Sequence, residues 1–242
     1  MKKQKAVLFS LPVLFLFSLA PVGADDHFVE RGTRDYMGST MMVQLREVWI
    51  GEKATSVADR LTVITRYDLG KRWTLAIRAK RYLEEPIEQE KKAEPVAKPQ
   101  RVQELGWNYR PQFEWTIAAT TQEKVIDGRK CRLYLAHGEA DYADETRDMW
   151  LTKDLPIDVG RMAKHAVRPD DEPLWQALCQ AFPDLKHSIS LETEVKSEPA
   201  IAPASVSHFK VHTIESAAPP PGIYEIPEGF RKVNSPQELT AR

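Results

Sequence analysis

With 242 residues, 42% of them hydrophobic and 29% charged, the chain is long enough to bury a core of its own as one larger domain. The formal net charge is −1, and it falls to −4 once Lys2, Lys3 and Lys5 of the leader are set aside. That balance argues against a nucleic-acid or anionic-membrane binder, since either needs a concentrated positive field.

Met1 to Lys5 is a basic head, Ala6 to Ala20 is almost wholly apolar, and Val22-Gly23-Ala24 ends in small residues. This is the pattern of an export signal over residues 1–24, cut after Ala24. The apolar run is shorter than the roughly 20 residues a membrane span needs and contains Pro12. Asp25 follows where a lipid-anchored protein would carry cysteine. The expected product is a periplasmic or secreted chain of residues 25–242, soluble after cleavage and folded as a single domain. No later stretch is long and apolar enough to span a bilayer.

Asp25 to Ser39 is polar with two glycines and reads as an extended lead-in, with Asp25, Asp26 and His27 at the new terminus, where order is least expected. Met41 to Ile50 reads as the first strand. Leu61, Val63, Thr65 and Tyr67 then alternate with Thr62, Ile64 and Arg66, the period-two pattern of a strand with one buried face. Asp68 and Gly70 supply a turn, and Trp73, Leu75 and Ile77 resume the alternation, so the strands lie in a meander. Residues 86–100 carry charge and repeated proline, which interrupts helices and central strands alike; they read as a solvated loop.

Phe113, Trp115 and Ile117 restart the sheet, and Asp127-Gly128 is a strong hairpin signal. Cys131, Leu133 and Leu135 share one face of the next strand. Thr146 to Thr152 presents Met149 and Leu151 on one side and Trp150 on the other, so cover is expected on both faces. Two helices are expected to supply it, over Asp158 to Val167 and Glu172 to Phe182. The second has Asp170 or Asp171 to cap it, Pro173 in its first turn and Pro183 to stop it. Strands return over Ser188 to Val195 and Ser205 to Ile214, around a flexible loop near 196–204, and a short last run spans Tyr224 to Phe230.

The two cysteines, Cys131 and Cys179, admit a disulfide in an oxidising compartment, or serve as two small buried hydrophobes. The chain has no GxSxG, P-loop or HExxH signature, and no cofactor and no enzymatic activity is expected. His208 and His212 share a strand with Lys210 between them, a cation that opposes metal binding. The acidic cluster Glu139, Asp141, Asp144, Glu145 and Asp148 lacks the glycine and ligand spacing of a calcium loop and reads as a solvated hairpin tip.

Several segments carry a resemblance. They are Trp49-Ile50-Gly51, the strand that ends at the Asp68 turn, Lys71 to Leu75 with Tyr82, Glu123 to Cys131, Met149 to Pro156, and Tyr224 to Phe230. In order and spacing they resemble a bacterial exported domain of unknown function, whose fold is similar to that of the outer-membrane lipoprotein carriers LolA and LolB. The resemblance implies an α+β, mostly β architecture: a curved antiparallel sheet, or half-open barrel, covered by one or two short helices and able to hold acyl chains. It carries over no catalytic residue and no metal ligand.

Large rings spread over several strands suit either a core or an apolar ligand surface. Trp73, Leu75, Trp115 and Leu133 are the expected lining of a hollow closed on one side by the second helix. The expected function is a binding module for a lipid, an acyl chain or another hydrophobic ligand, with lipid, lipoprotein or another envelope protein as partner. The alternative is a structural or protein-interaction module of the cell envelope with a filled core and no small ligand.

Overall fold

Alternating side chains over most of the chain build a single sheet. The computed structural model describes residues 24–59, 61–87, 111–158, 160, 171–200 and 202–240. The first run of strands is β1 (Asp25–Tyr36), β2 (Ser39–Ile50), β3 (Ala54–Ala58), β4 (Thr62–Arg66), β5 (Lys71–Ala76) and β6 (Arg81–Pro86). The second is β7 (Glu114–Ile126), β8 (Arg129–Ala140), β9 (Ala143–Thr152), β10 (Ile189–Pro199) and β11 (Ser205–Ala217), and β12 (Arg231–Val233) comes last. Each run is a meander, and the two are joined where β11 pairs with β1, giving the order β12-β6-β5-β4-β3-β2-β1-β11-β10-β9-β8-β7. All pairings are antiparallel except that of β12 with β6. The fold is therefore mostly β, one large, open, curved sheet with short helices, as the sequence implies.

Among the described residues two helices accompany it: α1 (Glu172–Ala181), followed by a 3-10 turn over Pro183–His187, and α2 (Pro236–Thr240). Helix α1 has Pro173 in its first turn, where the missing N–H is not needed, and it ends at Phe182 before Pro183. Its apolar positions Leu174 and Leu178 are one helical repeat apart and both are buried. The expected helix over Asp158 to Val167 lies almost wholly outside the described residues, as do Trp107 and nearly all of the loop near 86–100.

One reading of the sequence is corrected. Residues 25–36 are no lead-in: they form β1, which lies between β2 and β11 in the middle of the sheet. Its polar residues misled because they are satisfied by partners on neighbouring strands, as with His27, whose ring lies between Glu47 and Glu215. Strand β10 likewise continues to Pro199, paired opposite Ala143, so the connection to β11 is shorter than the loop expected near 196–204. Tyr224 to Phe230 forms turns, and the last strand follows at Arg231.

The Asp127-Gly128 turn is as expected. Both residues have positive φ, 48° and 78°, the backbone that matches a two-residue hairpin to strand twist. The cover expected on both sides of β9 is also present: Met149 and Leu151 join the cluster beneath α1, whereas Trp150 packs against a different cluster that contains Phe28, Val48, Ile50 and Cys131.

The disulfide does not form. Cys131 and Cys179 are both free thiols. Cys131 alternates along β8 with Tyr134 and Ala136, and it is these two that pack with the buried residues of α1, the helix bearing Cys179. The two cysteines therefore belong to opposite faces of β8. Burial pushes both thiols above their ordinary pKa, so neither is primed as a thiolate.

Candidate functional site

The best-defined apolar layer is the packed cluster between α1 and the face of β7, β8 and β9 that the helix covers. Its floor is Tyr134, Ala136, Met149 and Leu151, and its roof is Leu174, Leu178 and Leu185, all buried. Around them stands a half-buried rim of Trp115, Ile117, Trp175 and Phe182. Trp115 lies directly opposite Gly138, and a Cβ there would sit 2.8 Å from the indole, so the strand needs glycine for the ring to lie flat on it. Phe182 meets Tyr134 edge-on at 5.4 Å between ring centroids, and Phe113 leans on Trp115 at 5.2 Å.

A charged clasp stands at one end of this layer. Arg147, two residues before Met149 on the same face of β9, donates from Nε to Glu145 and from Nη1 to Asp171, each at 2.6 Å, while its guanidinium lies 5.2 Å from the Trp115 ring centroid. Burial opposes the charge on Arg147, but the Asp171 and Glu145 carboxylates outweigh it and hold the guanidinium more firmly protonated than usual. Asp171 stands at the N-cap of α1 yet makes no side-chain cap hydrogen bond. The residue expected from sequence to cap the helix instead fastens it to the sheet. At the other end of α1, Lys153 pairs with Asp184 of the 3-10 turn.

A second feature lies on the other half of the sheet. One row of directly opposed residues crosses seven strands: Glu215, His27, Trp49, Ser56, Ile64, Trp73 and Glu84. His27 stacks on Trp49 with centroids 3.9 Å apart, and its two ring nitrogens face Glu215 and Glu47 at 3.2 Å each. At the far end Trp73 donates its indole N–H to Glu84 at 2.9 Å. Ile64, Trp73 and Leu75 are covered by Tyr82, Tyr224, Ile226 and Phe230. Tyr224 also donates to the Asp25 carboxylate at 2.6 Å, at an open cleft of about 480 Å³ lined by Gly51, Lys53, Arg66 and the Pro219–Gly222 turn.

The four residues expected to line one hollow thus occupy three places. Trp73 and Leu75 share a cluster that the C-terminal segment fills. Trp115 packs at the edge of the α1 cluster. Leu133 is buried on the opposite face of β8 from Tyr134 and Ala136. The residues of the α1 cluster that sequence reading left out as a site are Met149, Leu151, Tyr134 and Arg147; the alternation of Met149 and Leu151 was visible, but the pairing that sets them beside Trp115 is a matter of register. Of the histidine pair, His208 faces Asp35 and Glu194 at 3.6 and 3.5 Å, and His212 is the extra residue where the β1–β11 register shifts.

The chain matches no protein-family model and no curated protein. Among the solved structures it is similar to are two crystal forms of PNGF-II, at 8% identity and TM-scores of 0.36 and 0.37. These alignments take in 89% and 88% of this chain but only 32% of PNGF-II, so the chain spans about a third of that protein's length. A DUF1329 family protein from Desulfovibrio piger aligns over 85% of this chain and 91% of its own at a TM-score of 0.28 and 9% identity. A LolA superfamily protein from Nitrosomonas europaea aligns over 84% of this chain and 90% of its own at a TM-score of 0.27 and 10% identity. The structural neighbours of this sheet thus include a member of each of two groups, a domain of unknown function and the LolA superfamily.

Proposed function

We propose that this chain is an exported, non-enzymatic binding module of the cell envelope, cleaved after Ala24, that holds an acyl chain or a comparable apolar ligand between α1 and the sheet. The observation that supports it is the apolar layer between helix and sheet: buried side chains on both sides, four half-buried apolar side chains at its edge, and one charged clasp that fastens the helix over it. Apolar side chains left partly in water at the edge of such a layer suit an acyl chain that enters by parting α1 from the sheet. Each CH₂ removed from water stabilises the complex by roughly 0.8 kcal/mol, so a long chain can offset the cost of being immobilised.

A second reading, an envelope interaction module with a filled core, is favoured by the Trp73 end, where Tyr224, Ile226 and Phe230 occupy the ground that a ligand would need. One experiment separates the two. Protein purified natively is stripped of lipid and titrated with a fluorescent fatty acid, with tryptophan emission followed. Saturable binding that is lost in Ala136→Trp, a variant that fills the floor, supports the carrier reading provided circular dichroism shows the variant folded. An absence of saturation in the wild-type chain favours the filled module.

A further inference from the structure

The β1–β2 hairpin ends in a tip unlike any other part of the described surface. Four of its large hydrophobic side chains stand in solvent: Met37 is 78% exposed, Met42 72%, Leu45 50% and Met41 47%. Directly opposed residues of an antiparallel pair share a face, so the register assigns sides. Arg31 lies opposite Leu45, and Thr33 opposite Met42, on one face; Arg34 lies opposite Met41 on the other. Each face of the tip therefore carries methionine, and each has an exposed arginine on the strand at or behind it. Tyr36, half buried, closes the pairing against Ser39. Met37 itself sits at φ 50° in the turn, beside Gly38 at 77°. That conformation normally favours Gly, Asn or Asp, so an exposed methionine is held where local backbone preference would not place it.

From this arrangement we infer that the β1–β2 tip is a membrane-contact element, which inserts its methionines among the lipids of a phospholipid bilayer surface. A tip that carries methionine on both faces, with Asp35, Ser39 and Thr40 as the polar residues among them, fits a medium that surrounds it, whereas a partner protein would meet one face and leave the other wet. Four side chains on a narrow turn also fall far short of the roughly 20 to 30 residues per side of a stable protein interface. Methionine is unbranched and adaptable, suited to a fluid surface, and arginine and tyrosine set behind an apolar end are the residues that sit at headgroup level. Arg34 is anchored there by donating from Nε to Ser207 at 3.0 Å. Because the chain as a whole is slightly negative, insertion and not long-range attraction drives the contact. This inference does not depend on whether the layer under α1 holds a ligand.

Flotation of the chain of residues 25–242 with vesicles of phosphatidylcholine and phosphatidylethanolamine tests it. The wild-type chain should float with the vesicles and keep at least half of that binding in 0.5 M salt. Met37→Asp/Met42→Asp should reduce binding at least tenfold at an unchanged melting temperature. Val125→Asp, at an apolar residue 69% exposed elsewhere on the sheet, should bind as the wild type does. Failure of the wild-type chain to float, equal binding by the double variant, equal loss in the Val125 control, or loss of binding in salt would each overturn the inference. So would a tip-dependent dimer that ignores vesicles.

Discussion

Arg147→Ala should lower the stability of the fold by about 1.5–3 kcal/mol, the range for losing charged hydrogen bonds in a partly buried pair. The side chain is 14% exposed, and its partners Glu145 and Asp171 are 12% and 26% exposed. Alanine would leave Glu145 with little water and no guanidinium, uncover the Trp115 ring and release the start of α1. Lysine at this position should recover only part of the loss, because an ammonium cannot reproduce the forked donation to two carboxylates. Denaturant unfolding of Arg147→Ala, Asp171→Asn and the double variant gives the coupling directly. A strong coupling between 147 and 171 is expected, with the fluorescent fatty acid entering faster in Asp171→Asn as the clasp loosens. A loss below about 1 kcal/mol for Arg147→Ala would make this an ordinary surface pair and leave α1 without a clasp.

Trp73→Ala should cost more, roughly 3–5 kcal/mol, by emptying a large aromatic volume from a packed cluster. Trp73→Phe separates ring from donor, keeping much of the packing while losing the indole N–H to Glu84. That bond, followed by the ammonium of Lys232 and then that of Lys71, draws the Glu84 carboxyl down from 4.5 to about 2. A carboxyl with a depressed folded pKa adds stability that is full above its unfolded value and is lost as protons bind below it. The wild-type chain should therefore lose stability as the pH falls from about 4.5 towards 2, and Trp73→Phe should lose less over that window. Melting curves from pH 5 to pH 2 check this; parallel pH profiles for the two chains would show that Glu84 is not held by Trp73.

Much of the sheet was legible because alternation reports a half-buried strand wherever one face is apolar. The strands around Trp73, Trp115 and Cys131 declared themselves in this way, as did the Asp127-Gly128 turn. β1 did not, since its residues are largely polar and it pairs on one side with β11, which lies far away in sequence, as His27 does with Glu215. Hydrogen bonding between distant strands leaves no local pattern. The site was legible only in part for a related reason. Aromatic content marked Trp73 and Trp115 as large rings, but which face each shares, and with what, is fixed by register and by the C-terminal segment that folds back over Trp73. Arg147 gave no signal as the clasp of α1, because its partner Asp171 looked like an ordinary helix cap; only the structure shows that carboxylate turned towards the sheet.

The proposal that an acyl chain binds beneath α1 is tested most directly by photocrosslinking. A long-chain fatty acid carrying a diazirine near its methyl end is bound to the delipidated chain of residues 25–242, irradiated, and the labelled peptides are mapped by mass spectrometry. The label should fall on the β8 and β9 residues Tyr134 to Leu151 and on α1 from Leu174 to Phe182, and an excess of unlabelled fatty acid should suppress it. Label confined to the β1–β2 tip, spread evenly over the surface, or insensitive to competitor would contradict an acyl-binding site between helix and sheet.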